Sequence, residues 1–351
     1  MNSANKNLEK NNDVVISAPS MSITQRRLKN FKKRKTAYYS FLVLMVIFFF
    51  GLFAELVANN KPYIAFYKGS VYFPIVKDYP TSTFDYPTIL PEYREMCARS
   101  EMSCVFPPIR YSPTEITSDG ETFPCPPSFT HPLGLDSLGR DIFARMLYGF
   151  RVSFSYAIGV WLIAFTIGSI IGACMGYFGG WFDIIFYRLM EIFFAIPYLI
   201  VLITLVSIFT PSIFLLVFIS SLFSWGHITR YMRTEFYRVR KLDYVMSAKA
   251  AGCNTRQILF RHILPNALTP IITFSPFFIA SGVLGLSALD FLGLGVAPPT
   301  PSWGELLRQG KEYFMSAWYL AVFPAFGLFF TLALINFVGE GIRDAFDPRR
   351  Y

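Results

Sequence analysis

The sequence predicts an all-α membrane protein with about six transmembrane helices, and three observations lead to that prediction. Hydrophobic residues make up 53% of the chain and charged residues only 16%, whereas an average soluble domain carries about 25% charged residues. The apolar residues are gathered into runs of about 20, the length that a helix needs to cross the hydrocarbon core. Lysine and arginine cluster beside some runs and are absent beside others, which is typical of a fixed orientation in the membrane.

The chain begins with a polar tail and a basic helix. Residues 1–20 are rich in asparagine and weakly patterned, which is typical of disorder. Residues 22–35 are strongly basic and predict a short helix, with Ser22 and Gln25 in capping-box spacing and with Leu28 and Phe31 on a narrow apolar face. Two interpretations are compatible with each other. The helix is a positive flank that holds the N-terminus inside, and it lies as an amphipathic helix on the inner leaflet.

Six apolar runs follow this helix. The first run is too long for a signal peptide, so it predicts a membrane anchor. Between the first and second runs, proline, tyrosine, serine and charged residues predominate, and two Pro-Pro pairs favour loops and extended segments. The runs cover residues 38–58, 152–177, 189–209, 212–228, 267–289 and 318–338. Pro197 and Pro276 are predicted to kink the third and fifth spans.

The basic residues set the predicted topology. They cluster before the first span, within residues 230–261 and after the last span, so both chain ends and the loop 230–266 are predicted to be cytoplasmic. Residues 59–151 and 290–317 then lie on the opposite side. The resulting division is a tail 1–37, a first span 38–58, an insert 59–151, a five-helix core 152–340 that includes the loop 241–266, and a tail 341–351.

Charge and cysteine content exclude some classes of function. The net charge of +9 is explained by the spans' basic flanks, so we expect no nucleic-acid partner. No CxxC or HExxH pattern occurs, and we expect no metal site.

By the predicted topology, Cys97 and Cys104 face an oxidising compartment and are close enough in sequence for a small disulfide loop. Two free thiols are the alternative, because the sequence does not give their geometry.

The loop 241–266 has the features of two short amphipathic helices joined by a tight turn. Residues 242–251 are good helix formers, and Gly252 stands where a left-handed residue ends such a helix. Asn254, with Gln257 three residues later, caps the second helix, and Leu264-Pro265 is predicted to end it. Three interpretations are open: a DNA-binding helix-turn-helix, an ordinary positive loop, and a docking element for a cytoplasmic partner. The position between two spans disfavours the first.

The residue order of this loop resembles the EAA motif of bacterial ABC importer permeases. That motif reads E-A-A, three residues, glycine, nine residues, I-x-L-P, and the spacing is matched throughout. The corresponding residues are Met246, Ser247, Ala248, Gly252, His262, Leu264 and Pro265. Met246 and His262 depart from the general pattern, although histidine before x-Leu-Pro-Asn is usual in the peptide branch. Loss of the glutamate at position 246 puts a charged contact there in doubt but keeps the helical shape.

Two further segments resemble signatures of dipeptide and oligopeptide permeases. Residues 131–142 precede span two, and residues 290–307 lie between spans five and six. The polar and glycine positions of the first signature are Gly134, Asp136, Gly139, Arg140 and Asp141. They form either a helix start capped by Asp136 or Ser137 or a contact for a binding protein. Asp290 is either an acid at the membrane interface or a charge near the translocation path that prefers cationic peptides.

The resemblance covers about residues 22–351, including the tail 341–350, and the chain is most similar to the second permease of the Yej-type peptide importers. It implies a type I ABC importer permease fold with an extracytoplasmic insert, placed in a bacterial inner membrane with both termini in the cytoplasm. It also implies import of peptides of the oligopeptide or dipeptide class. The implied partners are a second permease, cytoplasmic ATPase subunits that bind the ATP, and a periplasmic peptide-binding protein. This chain itself would hold no cofactor and no catalytic residue.

Two other classes are weaker alternatives. An ion-coupled secondary transporter usually keeps ionisable groups near the centre of the membrane, and the predicted span centres contain none. The ionisable residues of the spans fall near their predicted ends: Glu55, Glu191, His227, Asp290 and Glu340. A membrane enzyme would need convergent catalytic groups, but the three histidines fall on different sides or loops. No GxxxxGK[ST] motif occurs, so ATP hydrolysis by that route requires a partner.

Overall fold

The computed structural model describes residues 22–80, 83–84, 93–99, 102–117 and 122–346. The disorder predicted for residues 1–20 and the end of the C-terminal tail lie outside these ranges. Within them the helices are α1 (Ile23–Lys33), α2 (Lys35–Leu52), α3 (Tyr93–Ala98), α4 (Ile142–Phe178), α5 (Gly180–Phe194), α6 (Tyr198–Ile208), α7 (Ile213–Val239), α8 (Asp243–Ala250), α9 (Thr255–Gln257), α10 (Leu264–Phe291), α11 (Trp303–Glu312) and α12 (Tyr319–Phe346). The strands are β1 (Ile64–Tyr67), β2 (Ser70–Tyr72) and β3 (Ser103–Val105).

Six membrane spans are compatible with these helices, as the sequence predicts. In the described part of the chain, five helices are long and apolar enough to cross a membrane: α2, α4, α7, α10 with the residues before it, and α12. The sixth span is the pair α5 and α6, which bends by 61° at the break before Tyr198. Pro197 stands at that break because its ring cannot continue the preceding helix. The kink predicted there is therefore confirmed.

Three helices extend beyond their predicted bounds. The 37 residues of α4 span about 55 Å, well beyond the hydrocarbon thickness, and the helix begins at Ile142 instead of residue 152. The last helix, α12, runs to Phe346 instead of residue 338. The fourth span, α7, runs to Val239 instead of residue 228. An apolar run predicts only the part of a helix that lies in hydrocarbon, so it does not predict polar turns at the ends of that helix. His227 consequently lies inside α7, twelve residues before the end of that helix.

The insert contains a small antiparallel sheet that the sequence analysis missed, with the strand order β2-β1-β3. Lys68 and Gly69 link β1 and β2 with φ values of 46° and 81°, as the two-residue turn of a hairpin requires. A disulfide between Cys97 and Cys104 joins α3 to β3. Strands of three or four residues are too short to show a clear alternating pattern, which explains the omission.

Close packing of α4 against α7 fixes the core. Gly168, Gly172 and Gly176 recur every four residues along one face of α4, and each lies against the α7 backbone. Any side chain at these positions would collide with backbone atoms of α7, so only glycine permits this approach. Because α7 leads directly towards α8, this packing also fixes the starting point of the loop 241–266.

The basic helix α1 packs against the end of α12. Its predicted capping box is present, with Ser22 accepting from the Gln25 amide and Gln25 from the Ser22 amide. Arg34, at the junction of α1 and α2, donates to Glu340 at 2.5 Å and to Asp344. Phe31 and Ala37 pack against Gly341. The N-terminal helix and the last span thus meet at the same end of the bundle as the loop 241–266.

Candidate functional site

The loop 241–266, called the coupling loop below, begins with the short helix α8. The turn after α8 has the predicted form, because Gly252 has a φ of 81° and its amide donates to the Lys249 carbonyl at 3.1 Å. The Cys253 amide donates to the Ala248 carbonyl, also at 3.1 Å. These bonds satisfy carbonyls that the end of a helix would otherwise leave open.

The second helix of the coupling loop starts as predicted but does not end as predicted. Asn254 accepts from the Gln257 amide at 2.8 Å, and the Gln257 side chain accepts from the Asn254 amide at 3.3 Å. Instead of stopping at Leu264-Pro265, the helix passes through a π-helical segment, Ile258–Ile263, into α10. The wider π turn accommodates the missing amide and the ring of Pro265. The loop and the fifth span therefore form one continuous element.

Three buried side chains anchor the coupling loop to the spans. Val245, Ile258 and Ile263 are at most 3% exposed and share a cluster with Met232 and Phe236 of α7. Full burial of an aliphatic side chain contributes about 1.5–3 kcal/mol, so the three anchors hold the loop firmly. The anchors therefore join α8 to α7 and to the start of α10 through one apolar cluster.

A hydrogen-bonded clip also closes the loop. The Tyr244 hydroxyl accepts from the Asn266 amide group at 2.9 Å and donates to the His262 carbonyl at 3.3 Å. The Asn266 side chain reaches the same carbonyl at 3.2 Å. The clip joins α8 to the first turn of α10 and uses the backbone of His262. Sequence reasoning missed Tyr244, since no local spacing links it to a residue 22 positions later.

The outer surface of the coupling loop is exposed and lined by small residues. Met246 is 56% exposed, and residues 247 and 249–252 are exposed while Ala248 is half-buried. Gly252 has open space around it. Small side chains let another protein approach the backbone of α8 closely. The predicted positions 246–252 thus form one surface, whereas Leu264 and Pro265 belong to the start of α10.

A second predicted site lies at the opposite end of the bundle. Gly134 and Gly139 have φ values of 87° and 75°, so residues 134–140 form turns and α4 cannot begin within them. The predicted helix cap at Asp136 or Ser137 was therefore wrong. Asp141 caps α4 by accepting from the Ala144 amide at 2.8 Å, and its other oxygen meets His131 Nδ1 at 2.8 Å.

Asp136 instead organises a buried cluster of charges, called the charge cluster below. Its members are Asp136, Arg140, Arg145 and Glu305. Arg140 donates to Asp136 at 2.8 Å and to Glu305 of α11 at 2.9 Å, and Arg145 of α4 pairs with Glu305. Burial alone would lower the pKa of Arg140, but its bonds and charge pairing with both carboxylates outweigh burial and raise that pKa. The cluster ties the signature 131–142 to α11.

Asp290 is held within the chain. It is 5% exposed and lies at the end of α10. One carboxylate oxygen accepts from the Val296 amide at 2.8 Å, and the other accepts from the Ser302 hydroxyl. Both oxygens therefore fix the segment that leads to α11. Within the described ranges, no group of three or more histidine, cysteine or acidic side chains is placed to hold a metal ion.

Known proteins resemble the chain over most of its length. Residues 164–350 match the family described as binding-protein-dependent transport system inner membrane component. The peptidoglycan transport system permease protein YejE of Agrobacterium fabrum is 36% identical over 356 residues, which covers 93% of each protein. The inner membrane ABC transporter permease protein YejE of Escherichia coli is 36% identical over 334 residues, or 93% of this chain and 98% of that protein. The glutathione transport system permease protein GsiD of Pectobacterium atrosepticum is 38% identical over 223 residues, or 64% of this chain and 74% of that protein.

Proposed function

The chain belongs to the binding-protein-dependent transport system inner membrane components, as a multi-pass ABC permease of the peptide-importer type, and from that membership we propose its substrates, partners and mechanism. We propose that it forms one half of a pathway that carries peptides of the oligopeptide or dipeptide class into the cell. Two relatives are named for peptidoglycan and glutathione transport, and both of those solutes contain short peptides. Family membership also argues against the alternative of an ion-coupled secondary transporter.

The exposed surface 246–252 of the coupling loop is proposed to dock on a cytoplasmic ATPase subunit, which binds and hydrolyses the ATP. The observation that carries this proposal is the combination of an exposed outer surface with buried anchors at Val245 and Ile263. A partner that moves this surface also moves α7 and α10, because the anchors and the continuous π segment leave little slack. ATPase closure would thereby change the arrangement of the spans.

The remaining partners and the orientation are part of the same proposal. The coupling loop and both termini would face the cytoplasm, and the insert would face the periplasm, where an oxidising environment suits the Cys97–Cys104 disulfide. A second permease would complete the pathway. A periplasmic peptide-binding protein would deliver the peptide near the insert and the signature 131–142.

Co-purification tests this proposal. The chain would carry a C-terminal tag, be extracted in mild detergent, and be analysed for bound proteins by mass spectrometry. ATP hydrolysis by the eluate would be measured with and without binding protein and peptide. We expect a second permease and an ATPase to elute with the chain, with hydrolysis stimulated by the loaded binding protein. Elution of the chain alone, without ATPase activity, would refute the proposed partners.

A further inference from the structure

The basic helix α1 carries five positive charges and no acidic residue. The five cations are Arg26, Arg27, Lys29, Lys32 and Lys33. Within the described part of the chain, none of them makes an ion pair, because the two acids at the end of α12, Glu340 and Asp344, are paired with Arg34 instead. The outer surface of α1 therefore presents positive charge that these acids do not neutralise.

The length of α2 places α1 at the membrane surface. The 18 residues of α2 span about 27 Å, close to the roughly 30 Å of the hydrocarbon core, so both ends of α2 lie near a surface. Just beyond one end, Glu55 pairs with Arg151 at 2.7 Å. Near the other end, Tyr39 is 61% exposed, which is typical of aromatic rings at the membrane interface. Arg34 has an extended backbone, with φ −83° and ψ 90°, so α1 ends at this surface and does not continue α2 as one straight helix.

The contacts of Phe31 identify the face of α1 that points towards the membrane. The Phe31 ring meets Phe41 edge-on, with ring centroids 6.0 Å apart, and Phe41 lies about 9 Å along the span from Lys35. Phe31 also packs against Gly341 of α12, so other spans already cover it. Leu28, one turn earlier on the same face, is 55% exposed. Of the two apolar residues predicted for this face, Leu28 is therefore the one that can contact lipid.

Two exposed lysines lie beside Leu28 on α1. At about 100° per residue, Lys32 lies about 40° and Lys29 about 100° around the helix axis from Leu28, whereas Lys33 and Arg26 lie about 140° and 160° away. A lysine lays its apolar stem along a membrane surface while its ammonium group stays at the level of the headgroups. Membrane binding by such a helix depends on buried apolar area and on attraction to anionic lipid. Because one leucine buries little area, charge must supply most of the attraction.

We propose that Leu28, Lys29 and Lys32, called the lysine face below, bind the headgroups of anionic phospholipids. A headgroup with net negative charge complements the two ammonium groups, whereas a zwitterionic headgroup carries a cation of its own. Each lysine near an anionic surface contributes about five-fold in affinity, so anionic lipid should be enriched beside α1. Lipid binding here is independent of the substrate that the permease carries. Neutral lipid and an acidic surface of a cytoplasmic protein are the competing occupants.

Fluorescence quenching at position 28 distinguishes these occupants. Leu28→Cys would be made in the full importer with Cys125, Cys174 and Cys253 replaced by alanine, labelled with a small fluorophore, and placed in nanodiscs. The nanodiscs would contain either phosphatidylglycerol or phosphatidylcholine that carries a quencher close to the headgroup. Phe326→Cys on α12 is the control, because Phe326 is 63% exposed and lies about 30 Å along the helix from the end that α1 contacts.

We expect phosphatidylglycerol to quench position 28 at a mole fraction at least about five-fold lower than phosphatidylcholine does. The two lipids should quench position 326 equally. Equal quenching of position 28 by the two lipids would overturn the proposal in favour of ordinary lipid contact. Quenching at position 326 but at neither lipid composition for position 28 would overturn it in favour of a protein partner.

Removal of charge from two faces of α1 gives a second readout. Lys29→Gln combined with Lys32→Gln should reduce the preference for phosphatidylglycerol at position 28 to at most about two-fold. Arg26→Gln combined with Lys33→Gln removes the same charge from the opposite face and should keep most of the preference. Quenching by phosphatidylcholine should be unchanged in both double variants, which checks that α1 keeps its place. An equal loss of preference in the two double variants would overturn the assignment to the lysine face.

Discussion

Different interactions stabilise the two ends of the helix bundle. At the end that carries the insert, the charge cluster ties the signature 131–142 to α11 through buried ion pairs, with Arg145 fully buried. At the other end, the coupling loop is anchored by Val245, Ile258 and Ile263, while residues 246, 247 and 249–252 are exposed. Buried ion pairs depend on precise geometry, whereas apolar anchors stabilise through buried area and need no directional bonds.

This difference has a mechanical consequence. The charge cluster fixes α4 relative to α11, so the end with the insert behaves as a rigid frame. The coupling loop is firmly attached to α7 and α10 but offers its outer surface to a partner. A force applied at the loop would therefore move the inner parts of the spans against a frame that holds at the other end.

The largest effect is expected at the charge cluster. Glu305→Ala leaves two buried arginines, Arg140 and Arg145, with Asp136 as their one remaining carboxylate in the cluster, and it should lower the free energy of unfolding by about 3–5 kcal/mol. Glu312→Ala on the same helix is the matched control, because the Glu312 side chain is 51% exposed and its ion pair among the described residues is with half-exposed Arg308. That change should cost at most about 1 kcal/mol. Thermal unfolding in detergent would measure both, and equal stability of the two variants would show that the cluster does not stabilise the frame.

A smaller effect is expected at the apolar anchors. Ile263→Ala removes a fully buried side chain and should destabilise the protein by about 2–4 kcal/mol. Met246→Ala, in the same loop but 56% exposed, should leave stability nearly unchanged. The same unfolding measurement applies. A loss of stability in Met246→Ala as large as in Ile263→Ala would contradict the division between an anchored inner surface and an exposed outer surface.

The smallest effect is expected at the clip. Tyr244→Phe removes the hydroxyl that meets Asn266 and His262, and it should cost about 1 kcal/mol locally. Amide hydrogen exchange around residues 262–266 should become several-fold faster. Tyr237→Phe is the control, because within the described residues the Tyr237 hydroxyl makes no hydrogen bond. Unchanged exchange in Tyr244→Phe would mean that the anchors alone hold the loop closed.

Local patterns predicted much of this molecule. The six apolar runs, the capping boxes at Ser22 and Asn254, and the left-handed turn at Gly252 each depend on residues close in sequence. The residue pairs that stabilise each end of the bundle are far apart in sequence. Arg145 and Glu305 are 160 positions apart, and Tyr244 and Asn266 are 22 positions apart, so no single-sequence spacing links them.

Helix ends were the other source of error. The apolar run of α7 stops near residue 228, but the helix continues through basic turns to Val239. His227 therefore lies near the end of the apolar run but well inside the helix. Likewise, two glycines with positive φ delay the start of α4, which moved the cap from Asp136 to Asp141. In both cases the polar residues beside an apolar run were compatible with more than one position for the end of the helix.

The central claim is that the surface 246–252 transmits the movement of an ATPase, and a matched pair of glycine substitutions tests it most directly. Gly252 and Gly69 share a φ of 81° and open surroundings, so leucine introduces a similar backbone strain of about 1–2 kcal/mol at each. Only Gly252 lies on the coupling loop. The measurement is the number of peptides imported per ATP hydrolysed by the reconstituted importer. The account predicts that Gly252→Leu lowers this ratio several-fold with normal membrane insertion, while Gly69→Leu leaves it unchanged. An unchanged ratio in Gly252→Leu would contradict the claim.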